Sequence, residues 1–284
     1  MKLSSLQTAN SKFVLGQFDA VAAMAEALGL DLSHEQDREV LGRFKSLLAK
    51  YLSNKVSGII IDPFYGFKNI DQKHKNVGLI LNLEDLDYLN KNEMPKLLEN
   101  WGVENIRNNY GVAKFELYYH PTEEKALEKK QIVAELYDFC QYEKIDFLLQ
   151  LRIFNPNGGI LPEAEHPELQ LEALQEFRKN CDLLALEYPG NALACATVTA
   201  QSDVPWILLS HREPKLEPYL KLKERLREVL ESGGMGISAG SALWEGLDLT
   251  RTESLDVNWE QVEEFIKTET LDKIAELNRI VAES

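Results

Sequence analysis

Short apolar runs recur along the chain, and longer stretches with apolar residues at helical spacing separate them. Apolar runs bounded by turn residues are typical of buried parallel strands, whereas apolar residues at i, i+3 and i+4 are typical of amphipathic helices. The runs predict eight strands, at 13–19, 58–62, 77–81, 111–119, 145–154, within 182–191, 204–210 and 235–239. Helices are predicted at about 20–29, 34–53, 122–142, 167–180 and 215–231, with one between 84 and 109 and two at the end, about 258–267 and 270–282. This alternation predicts a parallel (β/α)8 TIM barrel with C-terminal helices, formed by residues 1–284 as a single domain.

Polar side chains interrupt the apolar pattern on three of these strands. The residues that share a face are Lys114, Glu116 and Tyr118 in the fourth strand, Gln150 and Arg152 in the fifth, and Ala185 and Glu187 in the sixth. Charged residues inside an apolar strand are costly to bury unless they are paired, so these groups are either paired in the barrel interior or solvated. Because barrel enzymes keep their chemistry at the carboxyl ends of the strands, the same positions are candidates for a site.

Two further carboxylates, Asp19 and Asp62, each end a predicted strand. Such residues bind sugar hydroxyls or close turns, and Asp62, which precedes Pro63, favours the turn.

The composition narrows the classes of partner. A net charge of −15 disfavours a broad surface for nucleic acid or for an anionic membrane, and no apolar run is long enough to span a bilayer. We expect a cytoplasmic protein, because the first residues lack the basic-then-apolar order of a secretion signal. The three cysteines follow no metal-ligand spacing, and no phosphate-loop, dinucleotide or His-x-x-x-His motif is present. We therefore expect no cofactor, no metal and a small-molecule partner, and a homo-oligomer stays open.

Seven segments in register over nearly the whole chain resemble the class I tagatose-1,6-bisphosphate and sulfofructose-phosphate aldolases. They are 18–19, 59–66, 114–119, 182–189, 205–210, 240–244 and 271–281. The resemblance implies a TIM barrel and a carbon–carbon lyase that acts on a ketose or ketose phosphate through a Schiff base. In that family the Schiff-base lysine precedes a glutamate by two residues on the sixth strand. Here the glutamate is Glu187, and Ala185 stands at the lysine position.

The other departures from the family also fall where its chemistry is expected. Asp19 is kept, but Ala20 and Val21 follow it instead of Gln-Arg. After the seventh strand the family has a small Ser-rich turn, where this chain has Ser210, His211 and Arg212. After the eighth strand the family has Gly-Arg, where this chain has Gly240 and Ser241. We expect Arg212, with backbone amides near Gly240 and Ser241, to hold any phosphate or sulfonate, because an arginine at the eighth strand is missing.

Two candidate catalytic residues, Lys114 and Glu187, each have two interpretations. A desolvated Lys114 would be nucleophilic, and transaldolases place their imine-forming lysine on the fourth strand, but Glu116 on the same face would favour a buried ion pair. Glu187 is either a general acid/base whose pKa burial raises or a structural partner for a barrel cation.

Three functional hypotheses follow. The first is an aldolase-like enzyme that cleaves or enolises a ketose with Lys114, Glu187 and Asp19. The second is an inactive aldolase-like barrel that binds a sugar metabolite or acts as a regulator. The third is an active aldolase in which Ala185 was introduced in place of lysine to trap a substrate.

Overall fold

The computed structural model describes residues 2–70, 77–85, 91–162, 165–211, 218–247, 249 and 257–284. Within them, eight parallel strands form a closed barrel in chain order, as the sequence predicted. The strands are β1 (Phe13–Gln17), β2 (Gly58–Ile61), β3 (Gly78–Asn82), β4 (Val112–Tyr119), β5 (Phe147–Ile153), β6 (Leu183–Leu186), β7 (Trp206–Leu209) and β8 (Gly236–Ala239).

Helices follow the strands and surround the barrel. They are α1 (Ala22–Ala27), α2 (Glu35–Leu52), α3 (Val103–Asn108), α4 (Ala126–Tyr142), α5 (His166–Phe177), α6 (Ala192–Gln201), α7 (Tyr219–Glu231), α8 (Trp259–Phe265) and α9 (Leu271–Glu283). A π-helical turn, Ile266–Thr270, joins the two C-terminal helices. The helix α6 was not among the predicted elements, because its short run of alanines and other small residues has no clear polar face. It begins where the Asn191 side chain accepts a hydrogen bond from the amide of Ala194.

The lower half of the barrel interior is an apolar plug. Its buried members include Phe13, Leu15, Ile60, Ile80, Val112, Leu148, Leu183, Ala185 and Ile207. A short 3₁₀ helix, Leu3–Leu6, covers the amino end of the barrel. A Cβ at Gly78 would lie 1.9 Å from the end of the Leu6 side chain, so a larger residue on β3 would require that side chain to move. This plug closes one end of the barrel and leaves the polar positions to the carboxyl ends of the strands.

Candidate functional site

Inward-facing polar side chains fill the barrel toward the carboxyl ends of its strands. They are Gln17 and Asp19 on and after β1, Asn82 and Glu84 on and after β3, Lys114 and Glu116 on β4, Gln150 and Arg152 on β5, Glu187 after β6, and Ser238 on β8. Strand alternation explains the set, because every second residue of a barrel strand faces the axis.

Lys114 lies at the centre of a fully buried cluster of charges. Its Nζ donates to Asp19 Oδ2 at 2.5 Å and to Glu84 Oε1, and Glu116 Oε2 lies 3.6 Å away. Burial alone would lower the pKa of Lys114, but the negative charges of Asp19, Glu84 and Glu116 raise it above its ordinary value. Lys114 is therefore an ammonium ion. The expectation of a nucleophilic Lys114 does not match this environment, and the buried ion pair does.

Glu84 belongs to this cluster, although the sequence reasoning did not select it. Burial raises the pKa of Glu84 to about 7, against the opposing effect of Lys114. The predicted third strand ends at residue 81, and Glu84 begins a region of mixed polarity, so the pattern assigns it to no strand. The available signal was period two, since Ile80, Asn82 and Glu84 fall on the same face.

A second ion network is centred on Arg152. Its Nε donates to Glu116 Oε1 at 2.7 Å, its Nη1 to Glu187 Oε1 at 2.9 Å, and its Nη2 to the carbonyl oxygen of Ser210 at 3.3 Å. Glu116 thus connects the Arg152 network to Lys114. The guanidinium joins strands β4 to β6 with the segment after β7, as a planar donor with several N–H groups can do.

Glu187 is held as a carboxylate. Burial would raise its pKa, but the neighbouring His166 imidazole and the charge of Arg152 together lower the pKa of Glu187 to about 2. His166 Nε2 lies 3.7 Å from Glu187 Oε2, and Gln170 Nε2 donates to the Glu187 carbonyl oxygen at 2.8 Å. Of the two interpretations of Glu187, the raised pKa is therefore wrong, because His166 and Arg152 outweigh burial, and the pairing with a barrel cation, Arg152, is observed. No sequence pattern had pointed to His166.

Gln150 forms a closed polar ring with Gln17 and Ser238. Gln150 and Gln17 exchange hydrogen bonds of 3.0 and 3.2 Å through their side-chain amides, and Ser238 Oγ donates to Gln17 Oε1 at 2.8 Å. Ala185 lies beside Gln150 in the β5–β6 register and is fully buried. The Gln150 amide, expected to bind substrate, is thus committed to the protein's own ring.

Asp62 does not line the site. Its Oδ1 accepts from Lys45 of α2, and its Oδ2 accepts from the amides of Phe64, Tyr65 and Gly66 at 3.2, 2.6 and 3.2 Å. The carboxylate therefore closes the turn after β2 and joins it to α2. Of the two expected roles, turn closure is observed.

The loops after β7 and β8 use their polar groups on each other. The amide of Gly240 donates to Ser210 Oγ at 3.0 Å, and Ser241 Oγ donates to the His211 carbonyl oxygen at 3.0 Å. The Gly240 amide, expected to meet a phosphate, is therefore already bonded within the protein. Arg212 lies outside the described residues.

Tyr118 is half-buried at the mouth, where the Lys91 ammonium lies 4.6 Å from the centre of its ring.

Among the described residues there is no group of metal-binding side chains. None of the described helices is long and apolar enough to cross a membrane.

Comparison with known proteins gives relatives over the full length. The chain is 25% identical over 320 aligned positions to a tagatose 1,6-diphosphate aldolase of Staphylococcus aureus, covering 100% of this chain and 96% of the relative. It is 24% identical to tagatose 1,6-diphosphate aldolase 1 of Enterococcus faecalis, covering 88% and 85% of the two chains. No protein-family model matches the chain.

Solved structures share the fold. A Schiff-base-forming fructose-1,6-bisphosphate aldolase superposes with a TM-score of 0.66 at 16% identity, covering 98% of each chain. An archaeal fructose 1,6-bisphosphate aldolase superposes with a TM-score of 0.68 at 15% identity, covering 99% of this chain and 98% of the other.

Proposed function

We propose that the chain is a class I aldolase of the tagatose-1,6-bisphosphate aldolase type, which acts on a ketose or ketose phosphate as a carbon–carbon lyase or in a related enolisation, because full-length relatives are tagatose 1,6-diphosphate aldolases. Fold alone would not support a reaction, because one barrel hosts many chemistries. The proposal therefore depends on the side chains that this chain keeps inside its barrel.

The observation that carries the proposal is the buried ammonium of Lys114 between two carboxylates, Asp19 and Glu84. When a bond next to a ketose carbonyl breaks, negative charge develops on the carbonyl oxygen. A fixed ammonium in a water-poor site stabilises that charge, and a neighbouring carboxylate takes up or returns the proton. The cluster has both parts.

Lys114 serves in this proposal as a charge and not as a nucleophile. Ala185 has no amine with which to form an imine, and the carboxylates around Lys114 retain its proton. The ketose would thus be activated by hydrogen bonding from the ammonium. Glu187, whose side chain is 16% exposed, would accept hydrogen bonds from the sugar hydroxyls nearer the entrance.

The anionic end of a ketose phosphate would lie on the side of β7 and β8, where Arg212 follows Ser210 and His211 in the sequence. Tyr118, half-buried at the mouth, would pack against the sugar. The backbone amide of Gly240 on this side is already hydrogen-bonded to Ser210, so the contribution of Arg212 would decide the affinity for phosphate.

The test is a panel of ketoses and ketose phosphates assayed for aldol cleavage and for exchange of carbon-bound hydrogen with deuterated water. We expect activity in the parent protein and a loss of about 10²–10³-fold in Lys114→Met, comparable to removal of one oxyanion donor. The matched control is Lys130→Met, since Lys130 forms a surface ion pair with Glu176 at 2.8 Å and should not affect the rate.

Borohydride added during turnover separates the two roles of Lys114. We expect no added ligand mass on Lys114, and a reduced adduct on that residue would show imine chemistry and refute the electrostatic role. The second candidate function, a sugar-binding barrel without catalysis, is favoured by Ala185 alone. Saturable binding without cleavage or exchange across the panel would establish it in place of the enzyme.

A further inference from the structure

Glu84 is held in the barrel by contacts of its own main chain. It lies just past β3, where an antiparallel bridge pairs it with Leu97. Its carbonyl oxygen accepts from Asn82 Nδ2 at 2.8 Å, and the next amide, of Asp85, donates to the Lys96 carbonyl oxygen at 2.8 Å. These bonds fix the backbone on both sides of Glu84, so its fully buried side chain has a defined position.

The two oxygens of the Glu84 carboxyl group have different surroundings. Oε1 accepts from the Lys114 ammonium, whereas Oε2 is buried and receives no hydrogen bond from any described residue. Asp19 has the same arrangement, with Oδ2 on Lys114 and Oδ1 buried without a donor among the described residues. Buried oxygens in native proteins are nearly always hydrogen-bonded, so these two atoms are acceptors beside the ammonium for a hydrogen-bond donor, such as a substrate hydroxyl or a water.

We propose that Glu84 is the general acid/base of this barrel, exchanging a proton with a ketose whose carbonyl oxygen is bound by the Lys114 ammonium. This inference depends on the proposed function and assigns its proton transfer to Glu84 instead of Glu187. The geometry favours Glu84 because its Oε1 contacts the same ammonium that would hold the carbonyl, while Glu187 Oε1 is engaged by Arg152 at 2.9 Å.

The step balances within the site. The Glu84 carboxylate takes the proton of the hydroxyl on the carbon β to the carbonyl, and the O–H electron pair forms the carbonyl of the released aldehyde. The electrons of the broken carbon–carbon bond form the enolate double bond, and the former carbonyl π electrons move to the oxygen beside Lys114. The protonated Glu84 then returns the proton to the enolate carbon, which gives the second carbonyl product and regenerates the carboxylate.

The charges that face Glu84 make both of its forms available near neutral pH. They are Asp19, which follows β1, and Lys114 and Glu116 from β4. Burial and the two carboxylates favour the protonated form, Lys114 opposes them, and the resulting pKa of Glu84 is about 7. A general acid/base is most effective when its pKa lies near the working pH. Glu187, whose pKa is about 2, stays ionised over the same range.

The first experiment compares Glu84→Gln, Glu84→Asp and Glu187→Gln over a range of pH. In Glu84→Gln we expect kcat to fall about 10²–10⁴-fold with little change in KM, and the limb of kcat/KM near pH 7 to disappear. Glu84→Asp should keep that limb at a reduced rate. Glu187→Gln should keep it as well and change mainly KM.

The second experiment observes the proton directly. In protein labelled with ¹³C at the glutamate carboxyl carbons, NMR should show one group titrating near pH 7 in the parent that is absent from Glu84→Gln. An unchanged set of titrating glutamates in Glu84→Gln refutes the inference, as does an unchanged pH limb in that variant. A parent protein without turnover or exchange refutes the proposed function and the catalytic role of Glu84 together, whereas an active parent with an active Glu84→Gln refutes the inference alone.

Discussion

Replacing Lys114 with methionine tests the buried cluster itself. Methionine keeps most of the length and the apolar stem of lysine but removes the charge that Asp19 and Glu84 share. Breaking a buried ion pair by removing one partner typically costs about 3–5 kcal/mol. For a chain of 284 residues, an unfolding entropy of about 2.1 cal/mol/K per residue converts this loss into a fall in Tm of about 5–8 °C.

The loss in Lys114→Met should depend on pH, and its sign follows from linkage. Without the ammonium, which lowers it in the parent, the folded-state pKa of Glu84 rises further above that of the unfolded chain. A carboxyl group with a raised folded-state pKa favours folding at low pH and loses that contribution as the pH rises through it. The deficit relative to the parent should therefore be smallest at low pH and largest above neutrality.

The assay is thermal unfolding of the parent and of Lys114→Met at about pH 5 and about pH 8, followed by tryptophan fluorescence. Lys130→Met is the control, because its partly exposed ion pair should contribute less than about 1 kcal/mol at either pH. Equal deficits at the two pH values, or a deficit below about 1 kcal/mol at the higher one, would refute the assignment of Lys114 as the counter-charge of buried carboxylates.

Two further substitutions test the other ion pairs. Lys45→Met should lower Tm, because it leaves Asp62 buried without its cation. The affinity for a ketose, measured by calorimetry, should be unchanged. Weaker binding would show that Asp62 belongs to the site. Arg152→Met should remove part of the stabilisation that comes from lowering the pKa of Glu187 from 4.5 to about 2; the whole lowering, to which His166 also contributes, is worth about 3 kcal/mol. A lowered carboxyl pKa stabilises the fold above the unfolded-state pKa, and this contribution is lost as the pH falls toward 2. In Arg152→Met the fall of Tm with decreasing pH should therefore be less steep than in the parent. An unchanged dependence of Tm on pH would contradict the pairing of Arg152 with Glu187.

The sequence by itself determined the strands and the resemblance to the class I aldolases. Residues 111–119 were predicted as the fourth strand and Val112–Tyr119 form it, because an apolar run and its alternation are local properties of the chain. The same alternation placed Lys114 and Glu116 on one face of the fourth strand and left open whether that face is paired in the barrel interior or solvated. Local pattern also limited the prediction, since α6 has no amphipathic period and Glu84 follows the end of an apolar run.

Only the tertiary structure decided which groups are charged and which are already bonded. Lys114 is an ammonium because Asp19, 95 positions away in sequence, lies 2.5 Å from it. Glu187 has a lowered pKa because His166 and Arg152, 21 and 35 positions away in sequence, lie beside it. Asp62 faces Lys45 instead of the barrel axis. A pKa depends on burial and on the charges within a few ångströms, and closure of the barrel brings strands that are distant in sequence to that range.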